Sequence, residues 1–249
     1  MATKYLSTYY KRKMAFADWV KNDLDFGDLI SGSFKIIKLR LSHFLLIFLL
    51  IELLGALISS YFTGKIVDWD TYGAIAASFI VTFLFSNLSG IMLTMLVGGF
   101  ASGKAISFAE MLSKGIRILP IVLLSSLVAG VLVFFGTLLL IIPGIVIAVY
   151  LGFYLNAIVL RDKGPIEALE YSYQLVKGCW WMVFGVLFLV FVAVFVLVLL
   201  FQLLSKSIDI TIISTVIQSL ISCYVYVLIC IFFFNLEARQ NNESLESNA

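Results

Sequence analysis

Glu52, in the run LLIELLGAL, is a carboxyl near the middle of an apolar stretch, and Asn87, in FLFSNLSG, sits at matching depth in the next. A carboxyl and an amide at one depth can hydrogen-bond between neighbouring helices. Ser86 and Ser89 stand nearby, and Tyr224 and Tyr226 on the last apolar stretch are further donors. Two chemistries fit this set. One is a protonated Glu52 acting as interhelical glue. The other is a proton- or cation-linked transport site, because insertion scales charge about 2.5–3.5 kcal/mol for a central Asp and such groups mark function.

Other reactive constellations are sparse. Glu167 and Glu170 form a carboxylate pair, but they stand three apart on what reads as a solvated helix face. Nothing in the sequence separates their environments as acid–base work requires. The single histidine, His43, excludes a multi-histidine metal site. Cys179, Cys223 and Cys230 form no CxxC, and the last two stand about 10 Å apart along one helix. No phosphate-binding, nucleophile-elbow or dinucleotide fingerprint occurs. Neither catalytic residues nor a cofactor or metal are expected, and the chain does not read as an enzyme.

The elements that must position these groups follow from composition. Hydrophobic residues make up 62% of the 249 and charged residues 13%, against about 45–50% and about 25% in soluble domains. A water-soluble core cannot hide that surface, so the solvent is a bilayer. A spanning helix needs roughly 20 apolar residues. Six stretches qualify, at 44–62, 73–99, 119–141, 144–160, 180–204 and 211–235. The third and fourth are joined by IIPG at Ile141–Gly144, where Pro143 lacks an N–H and Gly144 relieves crowding. The expected fold is an all-α membrane domain over 1–236, with a flexible cytoplasmic tail at 237–249.

Charge sets the orientation. No apolar signal-peptide core precedes the first span, so residues 1–43 are expected to stay attached and cytoplasmic. Alternate connecting segments beginning with that one hold fifteen Lys or Arg, and the opposite segments hold two. The positive-inside rule therefore puts both termini in the cytoplasm. The formal net charge of +2 says little about nucleic acid, because the bases are spread along one membrane side with no separate basic domain to grip a duplex. The expected partners are anionic lipid headgroups and other membrane proteins.

Three of the cytoplasmic segments share a pattern. With Asp28, Ser107 and Glu167 in register, the next polar positions are Ser31, Glu110 and Glu170. Then come Lys35, Lys114 and Gln174, and finally Lys38, Arg117 and Lys177. Spacings of three, four and three make one helical stripe. Each segment feeds a span that is followed by a returning span. The pattern predicts three amphipathic interfacial helices and a threefold helix–span–span repeat. In the third copy Gly164-Pro165 suits a helix start, Glu167 and Glu170 face the N-terminal dipole, and Gly178 suits the end. Ile166, Leu169, Tyr173, Val176 and Trp180 form its expected buried side, and Trp180 and Trp181 mark the headgroup level.

Small residues mark where spans touch. Gly144, Ala148, Gly152 and Asn156 fall every four residues along the fourth span, a stripe that admits close helix approach. Gly55 and Ser59 in the first span, and Gly73 and Ala77 in the second, repeat the theme.

The stretch IPGIVIAVYLGFYLNAIVLRDKGPIEALEYSYQLVKGCWWMVFGVL carries a family resemblance. Its Pro143-Gly144-Ile145, Lys163-Gly164, Ala168-Leu169, Ser172, Leu175, Lys177-Gly178 and Trp181 resemble the YciC-type family of uncharacterised bacterial inner-membrane proteins. They are also similar to the membrane domain attached to some glycerophosphoryl diester phosphodiesterases. The resemblance implies a multi-pass protein of the bacterial plasma membrane with no established reaction. The phosphodiesterase barrel and its acid and histidine set are absent, so that activity does not carry over. The expected function is a non-enzymatic membrane-organising or accessory component. The alternative is a small transporter or channel around Glu52 and Asn87.

Overall fold

The computed structural model describes residues 26–39, 41–63, 71–104, 106–204 and 211–246, and every element among them is a helix. The expected cytoplasmic segment up to residue 25, the polar turns at 64–70 and 205–210, and residues 247–249 lie outside the described residues.

Helix α1 spans Phe26–Leu39, and α2 (Leu41–Ile47) leads through a π-helical turn at Phe48–Glu52 into α3 (Leu53–Thr63). Then follow α4 (Thr71–Ala101), α5 (Phe108–Leu139), α6 (Ile141–Leu151) and α7 (Tyr154–Arg161). The chain closes with α8 (Pro165–Val176), α9 (Trp180–Leu204) and α10 (Thr211–Glu246). Six stretches are long and apolar enough to cross a bilayer: Leu41–Ser59, Tyr72–Ala101, Phe108–Leu139, Ile141–Arg161, Trp180–Leu200 and Leu220–Asn241. That is the architecture of a multi-pass membrane protein.

The core lies where the C-terminal half of α4 meets α7, α8 and α10, around Ile91–Val97, Phe153, Val176 and Val227–Phe233. Close approaches hold it. A Cβ at Gly90 would fall 2.7 Å from the Tyr226 ring, and one at Gly55 would fall 2.7 Å from Phe85. Helix α9 is the contrast: its Phe188, Phe191 and Phe195 are exposed, as suits contact with acyl chains.

Several expected boundaries move. The tail does not begin at residue 237, because α10 continues to Glu246 and Glu237 is buried. The reason is a partner, described below, that makes burial of its charge tolerable. The reversal between the third and fourth apolar stretches sits at Leu140, the one extended residue between α5 and α6 (φ −163°, ψ 146°), and not within IIPG. Pro143 lies inside the first turn of α6, where its missing N–H costs no helical bond.

The three surface helices also differ from one another. The segment 108–117 is no separate helix; it runs unbroken into the third apolar stretch as α5, past Pro120. Helix α1 is separate, but its Phe34 ring meets Tyr224 at 5.1 Å. Tyr224 lies thirteen residues, about 20 Å of helix, before Glu237. Only α8 is a distinct short helix among the charged residues Arg161–Lys163 and Lys177. Its buried side is Ala168, Leu169, Ser172, Leu175 and Val176, whereas Ile166 and Tyr173 are exposed. The expected stripe is thus rotated by about one position, because α8 packs beneath α6 and α7 as well as beside α5 and α10.

Candidate functional site

Two polar sites emerge, one at mid-span and one where α7, α8 and α10 converge. At mid-span the π turn ends on Glu52, which is half-buried. Ser89 of α4 lies beside it, together with Cys223 and Tyr226 of α10. The Ser89 hydroxyl is buried and has no hydrogen bond of ordinary geometry. Ser86 stands beside Tyr226.

Asn87 turns elsewhere. Its Nδ2 donates to the Phe83 carbonyl at 2.8 Å, and its Oδ1 accepts from Ser126 Oγ at 3.4 Å. Ser126 Oγ is in turn 3.0 Å from Tyr154 Oη. Asn87 therefore bonds across α4–α5 rather than to Glu52. Residues two apart on a helix point about 200° apart, so Asn87 and Ser89 must serve different neighbours. Tyr224 stands beside Ser33 of α1 rather than Glu52.

The small-residue stripe divides in the same way. Gly144 is buried, and a Cβ there would fall on Thr137 Oγ1 and 2.8 Å from the Thr137 backbone N. Asn156 is buried, with Nδ2 lacking a hydrogen-bond partner. Ala148 and Gly152 are exposed. The helix breaks at Gly152-Phe153, so the four positions do not share one face. Further along, Ser59 Oγ meets Ser78 Oγ at 2.7 Å and accepts from Thr82 Oγ1 at 3.1 Å, tying α3 to α4.

The second site is built at the polar end. Helix α7 ends at Arg161, and Asp162 follows in a left-handed conformation (φ 49°), which a short polar side chain tolerates. Gly164 then caps α8, its N–H donating to the Glu167 carboxylate at 3.4 Å, with Pro165 at the first position. At the far end Gly178 takes φ 94°, a conformation that requires glycine.

This local geometry aims three side chains at one point. Arg161 Nε donates to Glu237 Oε1 at 2.7 Å, and Arg161 Nη2 donates to Glu237 Oε2. Tyr171 Oη also donates to Glu237 Oε1. Burial first, and then the hydrogen bond to the Glu237 carboxylate, push the Tyr171 hydroxyl up to about 12. Next to it, Ser172 Oγ donates to the Tyr150 carbonyl at 2.7 Å and accepts from the Phe153 N–H at 3.0 Å. It thus satisfies backbone groups freed at the α6–α7 break. Ser125 Oγ donates to the Pro165 carbonyl at 3.2 Å.

A cavity of about 770 Å³ opens beside this junction, between the ends of α4 and α7 and the start of α5. Lys104, Glu110, Lys114, Arg161 and Asp162 form its polar rim, and Met95, Ile106, Leu160 and Phe234 form its apolar wall. Lys114 Nζ is 3.5 Å from Asp162 Oδ1, a pair with an exposed carboxylate. Among the described residues Lys104 makes no ion pair. The other expected anchors, Lys35, Lys38, Arg117 and Lys177, are exposed. Trp181 is exposed, and Trp180 packs edge-on against it (4.8 Å) and flat against Phe184 (5.1 Å). No cluster of three or more His, Cys, Asp or Glu able to hold a metal occurs among the described residues.

Sequence reasoning missed Glu237, Tyr171 and Ser172 as a working set. The legible signal was an acid, Glu237, directly continuing the last apolar run. A family model described as Domain of unknown function (DUF7847) matches residues 45–240. No curated protein and no solved structure matches the chain.

Proposed function

We propose that this chain, which belongs to the DUF7847 family, is a non-enzymatic membrane-organising component that holds phospholipid headgroups at one face of the bilayer. The cavity carries this reading. A rim in which Lys104, Lys114 and Arg161 outnumber Glu110 and Asp162, over an apolar wall of Met95, Ile106, Leu160 and Phe234, suits a phosphate joined to an acyl chain. Glu237 holds Arg161 in a fixed orientation, so that side of the rim is preorganised. The excess of Lys and Arg on alternate segments supports a cytoplasmic location for this face and for both termini. The resemblance to YciC-type proteins supports a bacterial plasma membrane.

Lipid retention tests the reading. Purified protein is stripped with graded detergent, and bound phospholipid is counted by native mass spectrometry. A basic residue near a headgroup contributes about 1 kcal/mol, which is roughly fivefold in affinity. Lys104→Glu with Lys114→Glu should therefore shed phospholipid at much lower detergent than the parent. Equal retention by a double variant of unchanged thermal stability would reject it.

Glu52, a half-buried carboxyl at mid-span beside the buried hydroxyl of Ser89, favours a second reading: a proton- or cation-linked transport site. Glu52→Gln should then leave assembly intact and abolish pH-driven flux in proteoliposomes. No flux from the parent protein would remove this reading. Glu52→Gln unfolding the protein while Glu52→Leu is tolerated would remove both transport and the interhelical-glue role.

A further inference from the structure

The cavity beside the α7–α8–α10 junction carries charges of both signs, and they divide into pairs already made and groups left over. Glu237 accepts from Arg161 Nε and Nη2, so that cation is matched from behind. Lys114 Nζ meets Asp162 Oδ1 at 3.5 Å. Glu110 stands one turn before Lys114 on α5, the spacing at which an acid and a base pair along a helix. Lys114 turns instead to Asp162, just beyond α7, and leaves the Glu110 carboxylate without an ion pair among the described residues. Lys104, just beyond the end of α4, also lines the cavity without one.

Counted with Glu237, the site holds three bases and three acids and is neutral as a whole. One ammonium and one carboxylate remain uncommitted. A headgroup that is a bare anion satisfies Lys104 but brings its charge near Glu110 and Asp162, with no net attraction to offset the repulsion. A headgroup carrying both a phosphate and a cation satisfies both ends. The helix ends agree in sign: α4 and α7 finish at the cavity with their negative ends, and α5 begins there with its positive end. The Lys114–Asp162 pair is no obstacle. The Asp162 side chain is 80% exposed, and ion pairs that exposed are weak enough to open for a ligand.

The cation is identified by its donors. A carboxylate holds an ammonium through charge-assisted N–H···O bonds, and a primary ammonium offers three. A quaternary ammonium offers none and is recognised by a cage of aromatic faces. Phe234 is the only aromatic ring among the described lining residues, and the Arg161 guanidinium lies 6.0 Å from its centroid. One ring already facing a cation makes no cage.

We infer that the cavity selects a phosphoethanolamine headgroup, with its phosphate on Lys104, its primary ammonium on Glu110 and its acyl chain along the apolar wall. This rests on the phospholipid reading above and narrows it to one headgroup class. Lys114 and Asp162 form a second base–acid couple beside the same two ends of the headgroup.

Competitive lipid binding tests the selection. Delipidated full-length protein in detergent is offered an equimolar mixture of phosphatidylethanolamine, phosphatidylcholine and phosphatidylglycerol with identical chains. Bound lipid is counted by native mass spectrometry. One charge-assisted contact at a part-exposed site corresponds to roughly fivefold in affinity, so phosphatidylethanolamine should be retained about fivefold over each of the others. The N,N-dimethyl form, with one N–H left, should fall between phosphatidylethanolamine and phosphatidylcholine. Glu110→Gln should lose phosphatidylethanolamine and gain phosphatidylglycerol, bringing the two within about twofold. Lys104→Gln should lose all three lipids alike.

Phosphatidylcholine bound as well as phosphatidylethanolamine would overturn the ammonium contact, and phosphatidylglycerol bound best would make the cavity a plain anion site. An unchanged preference in a Glu110→Gln protein of unchanged thermal stability would overturn the selection as well. Where Glu110→Gln is poorly folded, Asp162→Asn removes the second carboxylate and keeps a side chain that tolerates the left-handed backbone at φ 49°. It should shift the preference in the same direction, and no shift would count equally against the selection. Water-soluble glycerophosphoethanolamine displacing the lipid at equal concentration would assign the cavity to a soluble ester instead. Equal retention of all three lipids overturns the selection alone; retention of none removes the phospholipid reading itself.

Discussion

Glu237 and Glu52 are both acids on apolar helices of one chain, and their surroundings differ in kind. Glu237 accepts two hydrogen bonds from Arg161 and one from Tyr171, drawn from two other helices. Glu52 has a serine, a thiol and a tyrosine around it and no cation among the described residues. Charge compensation at Glu237 fixes how α7, α8 and α10 meet. Glu52 stands at the end of a π turn with no partner of opposite charge among the described residues. The first arrangement is a lock; the second is a polar spot that the surrounding helices can do without.

The largest expected effect comes from breaking the lock on one side. Arg161→Ala leaves Glu237 buried with Tyr171 alone. Removing one partner of a buried pair costs about 3–5 kcal/mol, and the partial exposure of Arg161 argues for the lower end. Unfolding in mixed micelles of increasing SDS content should show about 3 kcal/mol lost. The double variant Arg161→Leu with Glu237→Leu should lose less than Arg161→Ala alone, because no uncompensated charge remains. A loss below about 1 kcal/mol for Arg161→Ala would class the pair with surface ion pairs and erase the contrast.

Removing the mid-span acid should matter less. Hydrogen bonds between membrane helices average about 0.6 kcal/mol in double-mutant cycles. Glu52→Leu is therefore expected to cost under about 1 kcal/mol in the same SDS titration, and Glu52→Gln less still. Glu52→Leu costing as much as Arg161→Ala would show that Glu52 has a partner as demanding as the one Arg161 provides.

The sequence made this difference legible only in part. Six apolar stretches, the caps at Gly164-Pro165 and Gly178, and the depth of Glu52 follow from local rules of length and backbone geometry. The end of the last helix did not. Glu237 reads as the start of a polar tail until Arg161, seventy-six residues earlier, is brought against it. Asn87 failed for a related reason. Depth along a helix is readable from residue count, but azimuth decides the neighbour, and a single sequence does not show which helix lies on which side. The reversal at Leu140 escaped notice because Pro143-Gly144 is the stronger local turn signal, yet proline is equally at home in a first helical turn. The rotated face of α8 shares that cause: apolar side chains turn toward protein or toward lipid with similar ease, so hydropathy alone does not set the buried stripe.

The smallest expected effect is a pH dependence specific to the lock. Tyr171 ionises near 10 in an unfolded chain and is pushed up to about 12 in the folded one. Between those values the native state retains a proton that the unfolded state has released, so stability falls as pH rises. Below pH 10 the contribution of Tyr171 is fully present; through about 12 it disappears. A shift of that size is worth up to about 2.7 kcal/mol for a sequestered group, but the ring is half-exposed and solvent screening reduces this to about 1 kcal/mol or less. Tyr171→Phe keeps the ring against Phe233 and removes the titrating hydroxyl. The stability gap between parent and Tyr171→Phe, followed by SDS titration from pH 9 to 12, should narrow steadily across the upper half of that range. A gap independent of pH would mean that the hydroxyl does not depend on the Glu237 carboxylate, and that the lock is an arginine–carboxylate pair alone.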